Sequence, residues 1–243
     1  MKRTALITGG AHGIGKATAE RFAGAGYDIV VSDIDLAAAR DTAARICADG
    51  GRATAAYLDV AQAESWLELR LMLASEERLP AVLVNNAYNI AIAPAHELSE
   101  ESWNLQISVG LSSVYRSLLT FHDCLTAQQG SVVNVSSVHA LAAWAGRPAY
   151  AGAKGGVLSL TRQLSLDYAP AVRVNAVVPG AIVTRAWDGV DDPARREQEG
   201  HISLARFGQA SEVASAIFFL ASSEASYITG TSILVDGGLT STV

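Results

Sequence analysis

The chain has 243 residues, half of them hydrophobic and 17% charged, with a formal net charge of −6. That composition argues against disorder, and the lack of any Lys/Arg cluster argues against a nucleic-acid partner. The apolar run after the first three residues is too short for a signal peptide, no stretch approaches a membrane span, and Cys47 and Cys124 lack metal spacing, so a single-domain, reduced, cytoplasmic protein is expected.

The first predicted strand is "TALIT" (Thr4 to Thr8), and "TGGAHGIG" (Thr8 to Gly15) follows it and opens a helix. Gly9 suits a tight exit from the strand. Gly13 would let the backbone approach a pyrophosphate, and Gly15 would let the helix pack closely on the sheet. The helix start would face phosphates with free N–H groups and a positive dipole end. An ordinary strand-to-helix turn is the plainer alternative.

"DIVVSD" is a second strand that ends at Asp33. A carboxylate there can accept hydrogen bonds from both adenosine ribose hydroxyls and would repel a 2′-phosphate. Neither His12 nor Ile34 supplies a permanent positive charge for such a phosphate. NAD(H) is therefore expected over NADP(H). Asp33 could instead be a turn residue or helix cap.

"DLAAARDTAARICADGG" reads as a helix stopped by Gly50 and Gly51. Further strands are "ATAAYLDV", "AVLVNN", "SVVNVSS", "VRVNAVV" and "TSILVD", with helices near 62–78, 99–127, 149–169 and 210–222. The strands are apolar on both faces, as a parallel sheet covered by helices requires. Seven strands alternating with helices predict a doubly wound α/β fold.

Tyr150 and Lys154 lie four apart in one helix, so their side chains share a face. A free tyrosine has a pKa near ~10, and a neighbouring ammonium would stabilise its phenolate. Alcohol oxidation needs such a base, a donor to hold the oxygen and a hydride acceptor. Ser137, thirteen residues before Tyr150, could be the donor. A plain helix-surface pair and a turn-capping serine are the alternative. The five histidines are scattered without paired ligand spacing, so no metal is expected.

Together these segments resemble the short-chain dehydrogenase/reductase family over nearly the whole chain. The family's T-G-x-x-x-G-x-G matches Thr8, Gly9, Gly13 and Gly15. Its acidic residue beside the adenine matches Asp59 in "LDV", and its N-N-A-G appears as "NNAY" with Asn85, Asn86 and Ala87. Ser137, Tyr150 and Lys154 match its serine and Y-x-x-x-K. "RVNAVVPGAIVT" matches its segment near the nicotinamide through Pro179, Gly180, Ile182 and Thr184.

The resemblance implies a Rossmann fold with strand order 3-2-1-4-5-6-7 and helices on both faces. It also implies a dimer or tetramer built largely on the two long helices. Dinucleotide contacts are implied at His12, Ile14, Asp33, Ile34, Asp59, Val60, Asn86, Ala87, Val109, Tyr150 and Lys154 as well as the glycines. Tyr150 would be the acid/base, Lys154 would hold ribose and favour the phenolate, and Ser137 would hold the substrate oxygen.

Two positions depart from the family pattern. Gly110 in "WNLQISVGL" stands where an asparagine is usual, so the water relay from the lysine would rely on the Gly110 carbonyl, helped by Gln106 or Ser113. Tyr88 replaces the glycine of N-N-A-G and would either pack on the substrate side or turn outward. Substrate contacts are expected from Tyr88, His139, Trp144 and Trp187, with residues 186–206 as a lid. A neutral secondary alcohol or ketone, cyclic or polyhydroxylated, is the expected substrate. The alternatives are a 3-oxoacyl thioester reductase, a lyase or epimerase using the same pair, or a regulator that binds dinucleotide without turnover.

Overall fold

Strands that are apolar on both faces need helices above and below them, and the chain supplies one after nearly every strand. The computed structural model describes residues 3–184 and 192–241. Its main sheet contains β1 (Thr4–Thr8), β2 (Asp28–Asp33), β3 (Arg52–Tyr57), β4 (Val82–Asn85), β5 (Ser131–Val135), β6 (Arg173–Pro179) and β9 (Ser232–Val235). These seven strands are all parallel and run β3-β2-β1-β4-β5-β6-β9. This is the expected order. The last strand is ninth in chain count because a two-residue pair, β7 (Ile182–Val183) and β8 (Gly208–Gln209), stands apart from the main sheet.

Successive side chains of a strand point to opposite faces, and the sheet divides its core accordingly. Ala5 and Ile7 enter one core with residues of α1 (Gly13–Gly24), α2 (Leu36–Ala48) and α8 (Ala210–Ala221). Leu6 enters the other, with residues of α3 (Ala63–Ser75), α5 (Ser113–Ala127) and α6 (Pro148–Tyr168). Val82 and Val84 against Leu83 repeat the division in β4. Two short helices, α4 (Glu100–Ile107) and α7 (Asp192–Gly200), complete the set, and no helix among the described residues is long and apolar enough to cross a membrane.

The single helix expected over 99–127 runs through without a gap but widens once. A π turn at Ser108–Ser112 joins α4 to α5. Gly110 lies in that turn, where a Cβ would sit 3.0 Å from the Cβ of Ala153 in α6. The widened turn and the bare glycine let α6 come close, which a regular side chain would resist.

β1 and β4 are neighbours, while β1 leads on to β2 in the opposite direction across the sheet. That reversal opens a crevice at the carboxyl ends of the strands, where ligands bind in sheets of this kind. On the far side, Arg173 at the start of β6 closes the end of α8. Its Nη1 donates to the carbonyls of Leu220 (2.7 Å) and Ile228 (3.3 Å), and its Nη2 to those of Ala221 (3.2 Å) and Ser222 (3.0 Å). Helix carbonyls without a partner are costly when buried. Arg173→Met is therefore expected to lower unfolding free energy by about 2–3 kcal/mol in a urea titration, and an unchanged midpoint would remove this role.

Candidate active site

The turn after β1 is built from contacts that only glycine permits. Gly9 has φ +62, and a Cβ on Gly15 would lie 2.0 Å from the Gly9 carbonyl oxygen, so α1 starts directly on the strand exit. Asn86, just past β4, holds the turn from the side: its Nδ2 donates to the carbonyls of Thr8 (2.9 Å) and Gly9 (3.0 Å). The Thr8 hydroxyl oxygen accepts from the N–H groups of Asn86 (3.0 Å) and Ala87 (3.1 Å). Asn86 and Ala87, expected beside the cofactor, thus also shape the turn.

Asp33 holds the turn from the other side. Its Oδ2 accepts from the Ala11 N–H (3.1 Å), and its Oδ1 accepts from the Asp35 N–H (3.0 Å). Each carboxylate oxygen keeps a further lone pair for a ligand. Ile34 beside it is exposed. Asp59 accepts from the Ala61 N–H at 2.9 Å, and the carbonyl of buried Val60 accepts from the Trp66 indole at 3.1 Å.

The first helix bond of α1 runs from the Lys16 N–H to the His12 carbonyl, so the amides of Gly13, Ile14 and Gly15 have no acceptor within the helix. His12 at the N-cap makes no side-chain capping bond. Open amides at a helix start, with a carboxylate at the next strand end, form the donor and acceptor set that a pyrophosphate and a ribose diol require. The residues present fit a dinucleotide.

Beyond β6 the chain folds back over this turn. Gly180 donates to the Val235 carbonyl at 3.0 Å, just after Pro179. Ile182 is buried, and a Cβ on Gly13 would lie 3.2 Å from Thr184 Cγ2. Residues 185–191, which include Trp187 and the first part of the expected lid, lie outside the described residues.

The second group lies at the ends of β5 and α6. Ser136 Oγ donates to the Lys154 carbonyl (2.8 Å), and Lys154 Nζ donates to the Val135 carbonyl (2.7 Å), so strand and helix are joined twice. Pro148 opens α6 with its backbone angle already set, and Tyr150 follows in the first turn. The Ser137 hydroxyl lies close enough to the Tyr150 phenol to favour its ionised form, and it accepts from the His139 N–H at 3.3 Å.

Burial decides the protonation of this group. It pushes the Tyr150 phenol up to about 12, while the Ser137 hydroxyl and the charge of Arg147 pull the other way. It pulls Lys154, which is 3% exposed, down to about 8. Lys154 shares the helix face with Tyr150, as expected. The ammonium is directed at the Val135 carbonyl and sits 5.7 Å from the centre of the Tyr150 ring. Arg147, absent from the expected site, adds a small pull of its charge toward the Tyr150 phenolate. Its place in the sequence, three residues before Tyr150 at a helix start, is the signal that could have marked it.

The face of Tyr150 is lined by rings. Tyr88 lies 6.5 Å from it edge-on, and His139 lies 5.3 Å from it edge-on and 4.6 Å from Trp144. Tyr88 makes a ring contact with Tyr150 and is 52% exposed. His139 is pulled down to about 4 by burial and by Arg147, and its buried Nδ1 has no hydrogen-bond partner.

Across α6, Val109 and Gly110 are buried in the π turn. Ser113 Oγ donates to the Val109 carbonyl at 2.6 Å and is committed there. Gln106 is 1% exposed, and its Oε1 has no partner. Of the two side chains expected to help a water relay, Gln106 has an unpartnered acceptor, while Ser113 has used its proton and can only accept.

The chain is similar over nearly its whole length to proteins described as dehydrogenases. Residues 9–240 match a family model described as enoyl-(acyl carrier protein) reductase, of the short-chain alcohol dehydrogenase type. Glucose 1-dehydrogenase 2 of Bacillus subtilis is 36% identical, over 98% of this chain and 95% of that protein. Cyclopentanol dehydrogenase of a Comamonas species is 34% identical, over 98% and 97%. The crystal structure of a gluconate 5-dehydrogenase from Burkholderia cenocepacia, in complex with NADP and tartrate, has a TM-score of 0.94 at 30% identity and covers 100% of this chain and 97% of that one.

The low folded pKa of His139 gives a pH test. Its unfolded value is near 6.5, so between about 6.5 and 4 the unfolded chain binds a proton that the folded chain does not. This contribution to stability is complete above that window and falls as pH falls through it. In His139→Gln the drop in Tm between pH 7.5 and pH 5 is expected to be smaller than in the parent protein. An equal drop would show that His139 takes up its proton in the folded state.

Proposed function

The chain belongs to the short-chain dehydrogenase/reductase family, and from that premise we propose that it interconverts a secondary alcohol and its ketone with a nicotinamide dinucleotide. One observation carries the reading: Ser137, Tyr150 and Lys154 meet at the strand ends beside a turn suited to a dinucleotide. When bound there, the dinucleotide takes or gives the hydride. Gly13, Ile14 and Gly15 offer amides to its phosphates, and Asp33 offers a carboxylate to its ribose.

Ser137 holds the substrate oxygen and Tyr150 moves its proton. With its phenol near 12, Tyr150 is protonated at neutral pH and is ready to donate in the direction of ketone reduction. Accepting a proton from an alcohol requires the phenolate to be stabilised against burial, and the Ser137 hydroxyl, with a smaller pull from the Arg147 charge, acts in that direction. Lys154, near 8, can exchange a proton close to neutral pH. The Gly110 carbonyl and Gln106 Oε1, on the π turn and the helix before it, are the acceptors proposed to lead that proton toward solvent.

NAD(H) is the proposed cofactor form. Asp33 carries negative charge where a 2′-phosphate would lie, and exposed Ile34 beside it brings no cation. Residues 192–206 serve as the described part of a substrate lid, hinged on the Leu204 N–H, which donates to the Gly237 carbonyl at 3.0 Å. A second copy is proposed to cover Tyr115, Leu119 and Leu166, which are exposed on α5 and α6. The relatives' named substrates divide between a ring alcohol and sugars or sugar acids.

Replacing Tyr150 with Phe is expected to cut turnover by about 10²–10⁴-fold, while NADH affinity measured by fluorescence stays within about threefold. Turnover that survives the change would reject Tyr150 as the proton carrier. Asp33→Asn keeps an acceptor for the Ala11 N–H and removes the charge. It should shift the NADPH/NADH affinity ratio toward NADPH by about 10-fold or more. Parent protein with equal affinity for both would reject the assignment of Asp33.

A further inference from the structure

We propose that the site takes a neutral ring, an alicyclic secondary alcohol or its ketone, and that the aromatic face of Tyr88 selects it over open-chain and anionic alcohols. This rests on the reading of the site as an alcohol dehydrogenase. It goes further by naming the substrate class and the side chain that sets it.

The first observation is the wall of rings beside the reacting phenol. Tyr88, Tyr150, His139 and Trp144 follow one another at centroid distances of 6.5, 5.3 and 4.6 Å. A ring substrate with its carbinol oxygen at Ser137 and Tyr150 would lie along this wall. Aromatic faces hold apolar rings by burial and dispersion, and a preformed ring loses less conformational freedom against them than a flexible chain. Tyr88 is half exposed while still facing Tyr150, so part of its surface is open to a ligand.

The second observation is the rim. Ala93 donates to the Gly146 carbonyl at 2.8 Å, and a Cβ on Gly146 would lie 3.0 Å from Ile92 Cγ2, so the loop after β4 is fastened to the loop after β5. Ile90, Ile92 and Leu141 are exposed along these two loops. The two loops thus carry exposed aliphatic side chains near the ring row.

The third observation is charge. Residues 88–95 and 138–146 contain no Asp, Glu, Lys or Arg. His139, the one titratable imidazole among them, is kept uncharged by its burial. Arg147 follows directly, but its Nη1 donates to the Ala145 carbonyl at 2.9 Å. These two loops themselves offer a carboxylate no cation, and the adjoining Arg147 already has its Nη1 engaged, so they favour a neutral carbinol over a sugar acid. A neutral carbinol keeps its hydrogen bonds through Ser137 and Tyr150 and loses none elsewhere.

The test compares cyclohexanol, 2-butanol and gluconate as substrates of the full-length protein, with Tyr88→Gly and Tyr88→Phe beside the parent. Cyclohexanol is expected to have the highest kcat/KM. Tyr88→Gly should lower it about 10- to 100-fold for cyclohexanol and less than about threefold for 2-butanol, and Tyr88→Phe should restore it. A purely structural role for Tyr88 would lower both alcohols alike and would overturn the proposal. So would gluconate or 2-butanol as the best substrate; if that turnover depends on Tyr150, the dehydrogenase reading survives. A thermal-shift titration with cyclohexanone and gluconate in the presence of NADH is the second readout. A cyclohexanone shift that Tyr88→Gly abolishes, without turnover of any alcohol, would keep the ring site and reject the dehydrogenase reading. No shift with cyclohexanone and no turnover of cyclohexanol would reject the ring site.

Discussion

The contact between Gly15 and the carbonyl of Gly9 is the constraint on which the site depends. It brings the first helix onto the end of the first strand with no room for a side chain between them. Three strand ends then close on one turn: β1 supplies it, Asn86 past β4 clasps its carbonyls, and Asp33 at the end of β2 takes one of its amides. The hydrogen bonds that shape the turn therefore also align the residues around the crevice. A change at any of the three would be felt at the other two, because they share a few backbone groups.

Around Tyr150 the balance is between burial and charge. Burial alone would make the phenol a poor base, and it also makes the neighbouring ammonium less willing to stay charged. The chain answers with a hydroxyl at Ser137 and, with a smaller pull, the charge of Arg147. Lys154 is held by a backbone carbonyl and joins helix to strand as much as it acts on the phenol. Its structural and chemical roles share one side chain.

The π turn shows how packing can replace a side chain. Gly110 gives no amide, yet its lack of a Cβ lets α6 approach and leaves the turn wide. Gln106, one turn earlier, brings a buried amide with an open oxygen to the helix that precedes it. Tyr88 is the other departure from the family pattern, and its ring turns toward the reacting phenol.

Much of this was legible in the sequence for local reasons. Glycine at Gly9 and Gly15 reports a backbone need, apolar runs report buried strands, and a spacing of four puts Tyr150 and Lys154 on one face of a helix. These signals require no knowledge of distant residues, and the strand order followed once the family pattern was recognised. The π turn at Ser108–Ser112, the small β7–β8 pair and the hold of Asn86 on the glycine turn were not legible. Each depends on residues far apart in the chain or on how deeply a group is buried. Sequence alone determined which side chains could do chemistry. Only the tertiary structure decided their protonation and their partners, because desolvation and contact distance exist only once the chain has closed on itself.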